Sequence, residues 1–322
     1  MVVELTGETN QAQAFAFLPM AWSLGSTLGP FLGGTLSHPA NHIPRLFDTP
    51  FWNKYPYFLP CLTAAVYAVC VFMVGVLFLK EVSHGSQAND TVERGTASAH
   101  PSTTTRRSMS VRSVFTKRAR IAITNYAFLA FSDITYLSLL PVVFAVPVKN
   151  GGLGFSPRTI GVILGLQGIV TSLFQACFFA PLHRRFGNKK IYVTGYMCYS
   201  FLILMLPVLH TLATLEMTRT VWVALALLLV FSCPAFTAFS CMAIYVNSSA
   251  PSKDSLGTLN GISQTIIAII RAIGPAAATS LFSLSVEKNI LGGYCVYAIL
   301  LGMIFVGIGA SRWLKDEGRA YQ

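Results

Sequence analysis

The sequence predicts an all-α integral membrane protein with eight transmembrane helices. Of its 322 residues, 53% are hydrophobic and only 11% are charged, whereas a soluble domain carries about 25% charged residues. The apolar residues form eight runs, each longer than the roughly 20 residues that a helix needs to cross the hydrocarbon core. Because lipid offers no hydrogen-bond partner to bare backbone groups, each run is expected to be helical. The predicted spans are 12–37, 56–79, 120–147, 156–181, 189–211, 219–245, 256–284 and 290–312.

The composition changes between the second and third spans. Residues 81–119 are rich in Ser, Thr and basic residues, and such a segment cannot bury enough apolar surface to fold. We interpret it as a disordered cytoplasmic linker. It separates a two-span part, residues 1–80, from a six-span bundle, residues 120–316, which a short cytoplasmic tail, 317–322, follows. The linker contains the sequon Asn89-Asp-Thr91, which is predicted to stay unmodified because of this location.

The distribution of positive charge predicts the orientation in the membrane. The net charge is +11, and 16 of the 23 Lys and Arg residues lie on the side that would hold both termini, the linker and the segments near 182–190 and 246–255. Six lie on the other side. Both termini are therefore predicted to be cytoplasmic. The basic excess reports topology and contact with the lipid bilayer, and it does not indicate a nucleic-acid partner.

The sequence contains no recognisable catalytic or metal-binding constellation. All seven cysteines lie in predicted spans, and the six histidines lie in loops or at span edges. No nucleophile elbow, zinc-protease motif or P-loop is present. We therefore predict no metal, no cofactor and no enzymatic activity.

Two charged residues lie near the middle of predicted spans. They are Asp133 in 120–147 and Arg271 in 256–284. A charge at the bilayer centre costs roughly 2.5–3.5 kcal/mol on insertion scales, so such a residue faces a cavity or a partner. Asp133 could be a carboxylate that couples transport to a proton or cation. The alternative is a structural ion pair, or an Asp that caps a neighbouring helix.

Polar residues also recur on single helix faces. At 100° per residue, Asn260, Gln264 and Arg271 fall on one face, and Gln167, Thr171 and Gln175 fall on another. A third face carries Asn125, Ser132 and Tyr136, with Asp133 at its edge. Such stripes can line a cavity or can hold helices together. The glycines Gly161, Gly165 and Gly168 are interpreted as helix-packing positions.

A glycine ladder occupies the first span. It reads Gly25-Ser-Thr-Leu-Gly29-Pro30-Phe-Leu-Gly33-Gly34 and follows Trp22. Glycines four apart let a neighbouring helix approach closely, and Pro30 favours a bend. The ladder resembles the antiporter signature in the fifth helix of major facilitator superfamily transporters, the drug:proton antiporter branch in particular.

Other segments extend the resemblance over nearly the whole chain outside the linker. Glu8-Thr-Asn-Gln-Ala-Gln13 and Tyr55-Pro-Tyr-Phe-Leu-Pro60 look like the entries to the fifth and sixth helices of fungal drug:proton antiporter-like proteins. Gly151-Gly-Leu-Gly-Phe155 resembles their eighth, and Gly257-Thr-Leu-Asn-Gly261 with Arg271-Ala-Ile-Gly-Pro275 resembles their eleventh. The same group contains the plant zinc-induced facilitator-like carriers.

One loop resembles the cytoplasmic gating motif of the superfamily. The segment Leu182-His-Arg-Arg-Phe-Gly-Asn-Lys-Lys190 contains Arg184, Arg185, Gly187, Lys189 and Lys190. Arg184 stands where that motif usually has Asp, so a charge lock based on this Asp is not expected. Basic residues here could also serve topology alone.

The resemblance implies a fold and a function. The eight spans would correspond to helices five to twelve of a twelve-helix transporter, so the first four helices would be absent from this chain. The implied activity is proton-coupled export or compartmental storage of small organic solutes by a monomer, in the plasma or vacuolar membrane. Site residues would be Asp133, Arg271, Gln264, Asn260, Gln167, Gln175, Tyr136 and Asn125. The alternative is a truncated membrane protein that does not transport and acts as a partner, a regulator or a pseudogene product.

Overall fold

The computed structural model describes residues 25, 28–29, 31–39, 47, 49–78, 115–252 and 255–314. The regular structure in these residues is helical, which confirms the predicted all-α class. A short helix, α1 (Pro50–Lys54), precedes the long helix α2 (Phe58–Phe78). The remaining long helices are α3 (Lys117–Ala145), α4 (Pro157–Phe186), α5 (Asn188–Thr214), α6 (Thr218–Ser248), α7 (Leu256–Glu287) and α8 (Cys295–Ser311).

Six of these helices, α2 to α7, are long and apolar enough to cross a membrane, and α8 is a shorter apolar helix of 17 residues. The protein is therefore a multi-pass integral membrane protein. Most of the first predicted span lies outside the described residues, although residues 31–35 are helical. The predicted linker and both ends of the chain also lie largely outside them.

Local capping explains where several helices begin and end. α3 begins at Lys117, three residues before the predicted span, because the Thr116 hydroxyl accepts a hydrogen bond from the Ala119 amide at 3.1 Å. Ser156 accepts one from Thr159 in the same way, and Pro157 fills the first position of α4. α4 ends at Phe186, and the next residue, Gly187, has a φ of 79°, a conformation that suits glycine.

The last predicted span begins later than expected. Residues Ile290–Gly293 form a 3-10 turn in which Leu291 and Gly292 have positive φ, and α8 starts only at Cys295. The apolar run from 290 to 312 therefore contains a bend that hydropathy does not reveal.

Helices α3 to α8 pack around one core. Tyr136, Tyr192, Tyr196 and Tyr199 are among its largest fully buried side chains. α2 differs, because no residue between 58 and 77 is buried. Its apolar side chains on all faces suit contact with lipid or with other membrane helices.

Candidate functional site

Asp133 lies at the centre of the bundle. It sits in the middle of α3 and is only 2% exposed. The hydroxyl of Tyr199 on α5 donates a hydrogen bond of 3.0 Å to its Oδ1 atom. A buried carboxyl group is tolerated inside a membrane helix only with such partners, so this contact fixes Asp133 in its place.

Arg271 on α7 interacts electrostatically with Asp133. α7 and α3 pack closely here. A Cβ atom on Gly274 would lie only 2.5 Å from Cγ2 of Ile134. Ile134 is the residue after Asp133, and Gly274 lies one turn beyond Arg271. The glycine thus lets the helix that carries the positive charge approach the helix that carries the carboxyl group.

Tyr136 and Gln167 extend this group toward α4. Gln167 Nε2 donates a 3.2 Å hydrogen bond to the Tyr136 hydroxyl, and both side chains are buried. The Tyr136 ring meets the Tyr199 ring edge to face, with centroids 6.3 Å apart. We call Asp133, Tyr136, Gln167 and Tyr199 the Asp133 cluster. It joins α3, α4 and α5 within the membrane.

A tyrosine ladder on α5 faces α3. Besides Tyr199, the Tyr196 hydroxyl lies 3.1 Å from the Ser132 hydroxyl, and the Tyr192 hydroxyl donates to the Asn125 carbonyl at 3.3 Å. All three tyrosine side chains are fully buried. Sequence reasoning missed these tyrosines as site residues. Their spacing of four and then three residues in an apolar span was the available signal.

The remaining predicted cavity residues form separate contacts between helices. Gln264 makes a side-chain hydrogen bond to Tyr126 of α3. Arg271 also interacts electrostatically with Tyr126. Asn260 Nδ2 donates to Asn247 Oδ1 at 2.9 Å. Two further pairs complete the set: Gln175 Nε2 donates to the Ser240 hydroxyl, and Asn125 Nδ2 donates to the carbonyls of Ile121 and Ala310.

These contacts divide the predicted residues into groups. Asp133, Tyr136 and Gln167 meet in one cluster, with Arg271 beside it. Gln264 is exposed, and it shares the neighbour Tyr126 with Arg271. Asn260 and Gln175 each pair with α6, away from the cluster. The polar stripes therefore include residues that hold helices together as well as residues around Asp133.

Among the described residues, Gly34 is the ladder glycine that lies in close contact with α4. A Cβ atom on Gly34 would lie 2.6 Å from the Gly161 Cα atom and 2.8 Å from the Pro157 carbonyl oxygen. Phe31 packs in turn against Gly165. Gly25, Gly29 and Gly33 have open space around them among the described residues, and Pro30 lies outside those residues. Close helix contact thus depends on Gly34 and on the packing glycines of α4.

The gate-like segment is mostly helical rather than a loop. Arg184 and Arg185 lie in the last turn of α4, and Lys189 and Lys190 lie in the first turn of α5. Only Gly187 separates the two helices, with a backbone conformation outside the helical region. The hydropathy prediction ended the span at 181 because the basic side chains are polar, although cations suit a helix carboxyl terminus.

The described residues bring together no group of three or more His, Cys, Asp or Glu that could hold a metal ion. Asp133 with its tyrosine donor and the nearby guanidinium can bind and release a proton or hold a cationic group. This chemistry suits reversible binding inside a membrane.

The comparisons with known proteins agree with this architecture. The model of the Major Facilitator Superfamily matches residues 1–275. The efflux pump azaK of Aspergillus niger is 29% identical over 322 residues, which cover 98% of this chain and 64% of azaK. The multidrug transporter mfsB of Aspergillus fumigatus is 25% identical over 388 residues, covering 97% of this chain and 63% of mfsB.

A plant protein is similar as well. ZINC INDUCED FACILITATOR-LIKE 1 of Arabidopsis thaliana is 27% identical over 336 residues, covering 95% of this chain and 65% of the plant protein. The chain thus spans about two thirds of the length of these curated relatives. Because the superfamily model matches most of its length, the chain belongs to the Major Facilitator Superfamily.

Proposed function

We propose that the chain is a secondary transporter that moves small organic solutes across a membrane in exchange for protons. Asp133 is the coupling carboxylate. The observation that supports this role is its position: it lies in the middle of a membrane helix, is 2% exposed, and is held by Tyr199 beside the charge of Arg271. An ionisable group at this depth is costly, and such groups commonly mark proton relays or substrate pathways.

The relatives indicate the class of solute and the direction of transport. Two are named an efflux pump and a multidrug transporter, so we propose export or compartmental storage of organic solutes. These names favour a transporter over the non-transporting alternative. In this proposal Arg271, Gln264 and Tyr136 contact the solute, whereas Asn260, Gln175 and Asn125 support the walls of its path.

The proposed topology follows the twelve-helix plan of the family. Residues 1–80 supply the last two helices of the amino-terminal bundle, corresponding to helices five and six, and 120–316 supply helices seven to twelve. Gly25, Gly29, Pro30, Gly33 and Gly34 form the seam between the two bundles. Both termini face the cytoplasm from a plasma or vacuolar membrane, and the full-length protein is a monomer.

Flux through proteoliposomes tests the coupling. We would reconstitute the full chain and follow the fluorescent dye ethidium together with internal pH. A pH gradient is expected to drive dye accumulation in the wild type. Asp133→Asn should abolish this accumulation but keep dye exchange in the absence of a gradient, because the solute path remains.

A matched control is Glu287→Gln, which neutralises an exposed carboxyl group at the end of α7. It should leave the accumulation unchanged. If Asp133→Asn accumulates as much dye as the wild type under a pH gradient, Asp133 is not the coupling group. Absence of any dye or proton movement in the wild type would favour the non-transporting alternative.

A further inference from the structure

A cavity opens at one end of the bundle, where α3 begins and α8 ends. It measures about 220 Å³. Lys117 and Arg120, one turn apart on α3, form its rim, and both are exposed. Asn125 and Ala310 close its inner end, where the Asn125 amide donates to the Ala310 carbonyl at 3.3 Å.

Trp313 lies beside the rim, directly after the end of α8, and is 71% exposed. An exposed tryptophan at the end of a membrane helix is typical of the interface between hydrocarbon and headgroups. We therefore expect the cavity to lie at the level of the lipid headgroups, and Ile121 supplies an apolar part of its lining.

We propose that this cavity binds the headgroup of an anionic phospholipid. Lys117 and Arg120 would contact the phosphate, and the tryptophan ring would cover the glycerol region. Basic pockets between membrane helices on the cytoplasmic side commonly bind acidic headgroups. This end of the bundle is also the side that the basic residues predict to be cytoplasmic, where anionic lipids are concentrated.

The size of the cavity supports a headgroup rather than a transported solute. Ligand pockets usually measure about 300–1,000 Å³, and this cavity is smaller. We expect a phosphate with its glycerol to occupy it and the acyl chains to continue along the outer surface of α8, where Phe305 and Val306 are each 61% exposed. No residue of the Asp133 cluster lines this cavity, so lipid binding can be tested separately from transport, although Asn125 also belongs to the walls of the proposed solute path.

A photoactivatable phosphatidylinositol, with the reactive group next to the phosphate, tests the site in nanodiscs containing the full chain. Crosslinks located by mass spectrometry are expected in residues 117–125 and 310–313. Unlabelled phosphatidylinositol should compete with them, and phosphatidylcholine should not. Competition by soluble glycerol phosphate at equal concentration would instead indicate a site for free anions and would overturn the lipid assignment.

Paired variants distinguish lipid binding in this cavity from nonspecific attraction of anionic lipid to basic residues. Lys117→Gln with Arg120→Gln should weaken binding by about 30-fold, because each basic residue near the surface is worth roughly 1 kcal/mol. Lys117→Arg with Arg120→Lys should retain binding. Lys189→Gln with Lys190→Gln removes two charges at the same end of the bundle and should leave the crosslinks in 117–125 and 310–313. Equal losses in both neutralised pairs would overturn the proposal.

Discussion

Tyr199 and Asp133 are joined by a hydrogen bond of 3.0 Å across the contact between α5 and α3. Tyr199 is fully buried, and Asp133 is 2% exposed. The two residues are 66 positions apart in sequence, so the contact ties two helices together at the one carboxyl group that lies deep in a span of the described residues.

Tyr199→Phe should destabilise the protein. Removal of the hydroxyl leaves a buried carboxyl group without its donor, which costs about 1–3 kcal/mol of the free energy of unfolding. In an Asp133→Asn background the cost should be roughly half, because a hydrogen bond to a neutral group is weaker. Denaturation curves of the four proteins in detergent measure this coupling.

Tyr297→Phe is the control for this cycle. Tyr297 is also buried, and its hydroxyl makes no hydrogen bond among the described residues. It should lose less stability than Tyr199→Phe and should show no coupling to Asp133→Asn. Equal costs of Tyr199→Phe in both backgrounds would mean that the hydrogen bond contributes nothing to stability.

Gly34→Ala should disturb the contact between the first span and α4. Its Cβ atom would meet backbone atoms of Gly161 and Pro157 at 2.6 and 2.8 Å, and backbone cannot move aside as a flexible side chain can. We expect a loss of about 1–3 kcal/mol from overpacking, measured as a lower melting temperature. Gly33→Ala, which meets open space, should be nearly neutral, and equal effects would contradict the role of Gly34.

Gly307→Ala should displace the second tyrosine of the ladder. A Cβ atom there would lie 2.3 Å from the Tyr196 hydroxyl, which contacts Ser132. The expected loss is about 1–3 kcal/mol, from overpacking of a well-packed site. Gly309→Ala on the same helix has no neighbour within 4 Å and serves as the control in the same thermal melts. A stable Gly307→Ala protein would show that the ladder tolerates rearrangement.

Glycosylation tests the predicted orientation. Asn89 should stay unmodified when the protein is expressed in eukaryotic cells, because we place residues 81–119 in the cytoplasm. Ile43→Thr creates a sequon at Asn41, between the first two predicted spans, where the predicted orientation places the chain on the non-cytoplasmic side, so this variant should be modified. A gel shift that the enzyme PNGase F reverses distinguishes the two. If the wild-type protein shows a gel shift that Asn89→Gln abolishes, the true orientation is the opposite of the predicted one.

The sequence was a good guide to the positions of the helices. Seven of the eight predicted spans coincide with helices among the described residues. The length of an apolar run can be read directly from the sequence and compared with the length of helix that crosses a bilayer. Their ends were less accurate. α4 continues to Phe186 through Arg184 and Arg185, and α8 begins at Cys295, since capping and backbone conformation rather than hydropathy set those limits.

The sequence by itself determined that this is a helical membrane protein with Asp133 and Arg271 inside its spans. Only the tertiary structure decided that Tyr199 holds Asp133, that Asn260 pairs with Asn247, and that Gly34 faces Gly161. The physical reason is rotation about the helix axis. A turn of one residue moves a side chain by 100°, and packing against helices distant in sequence fixes this angle.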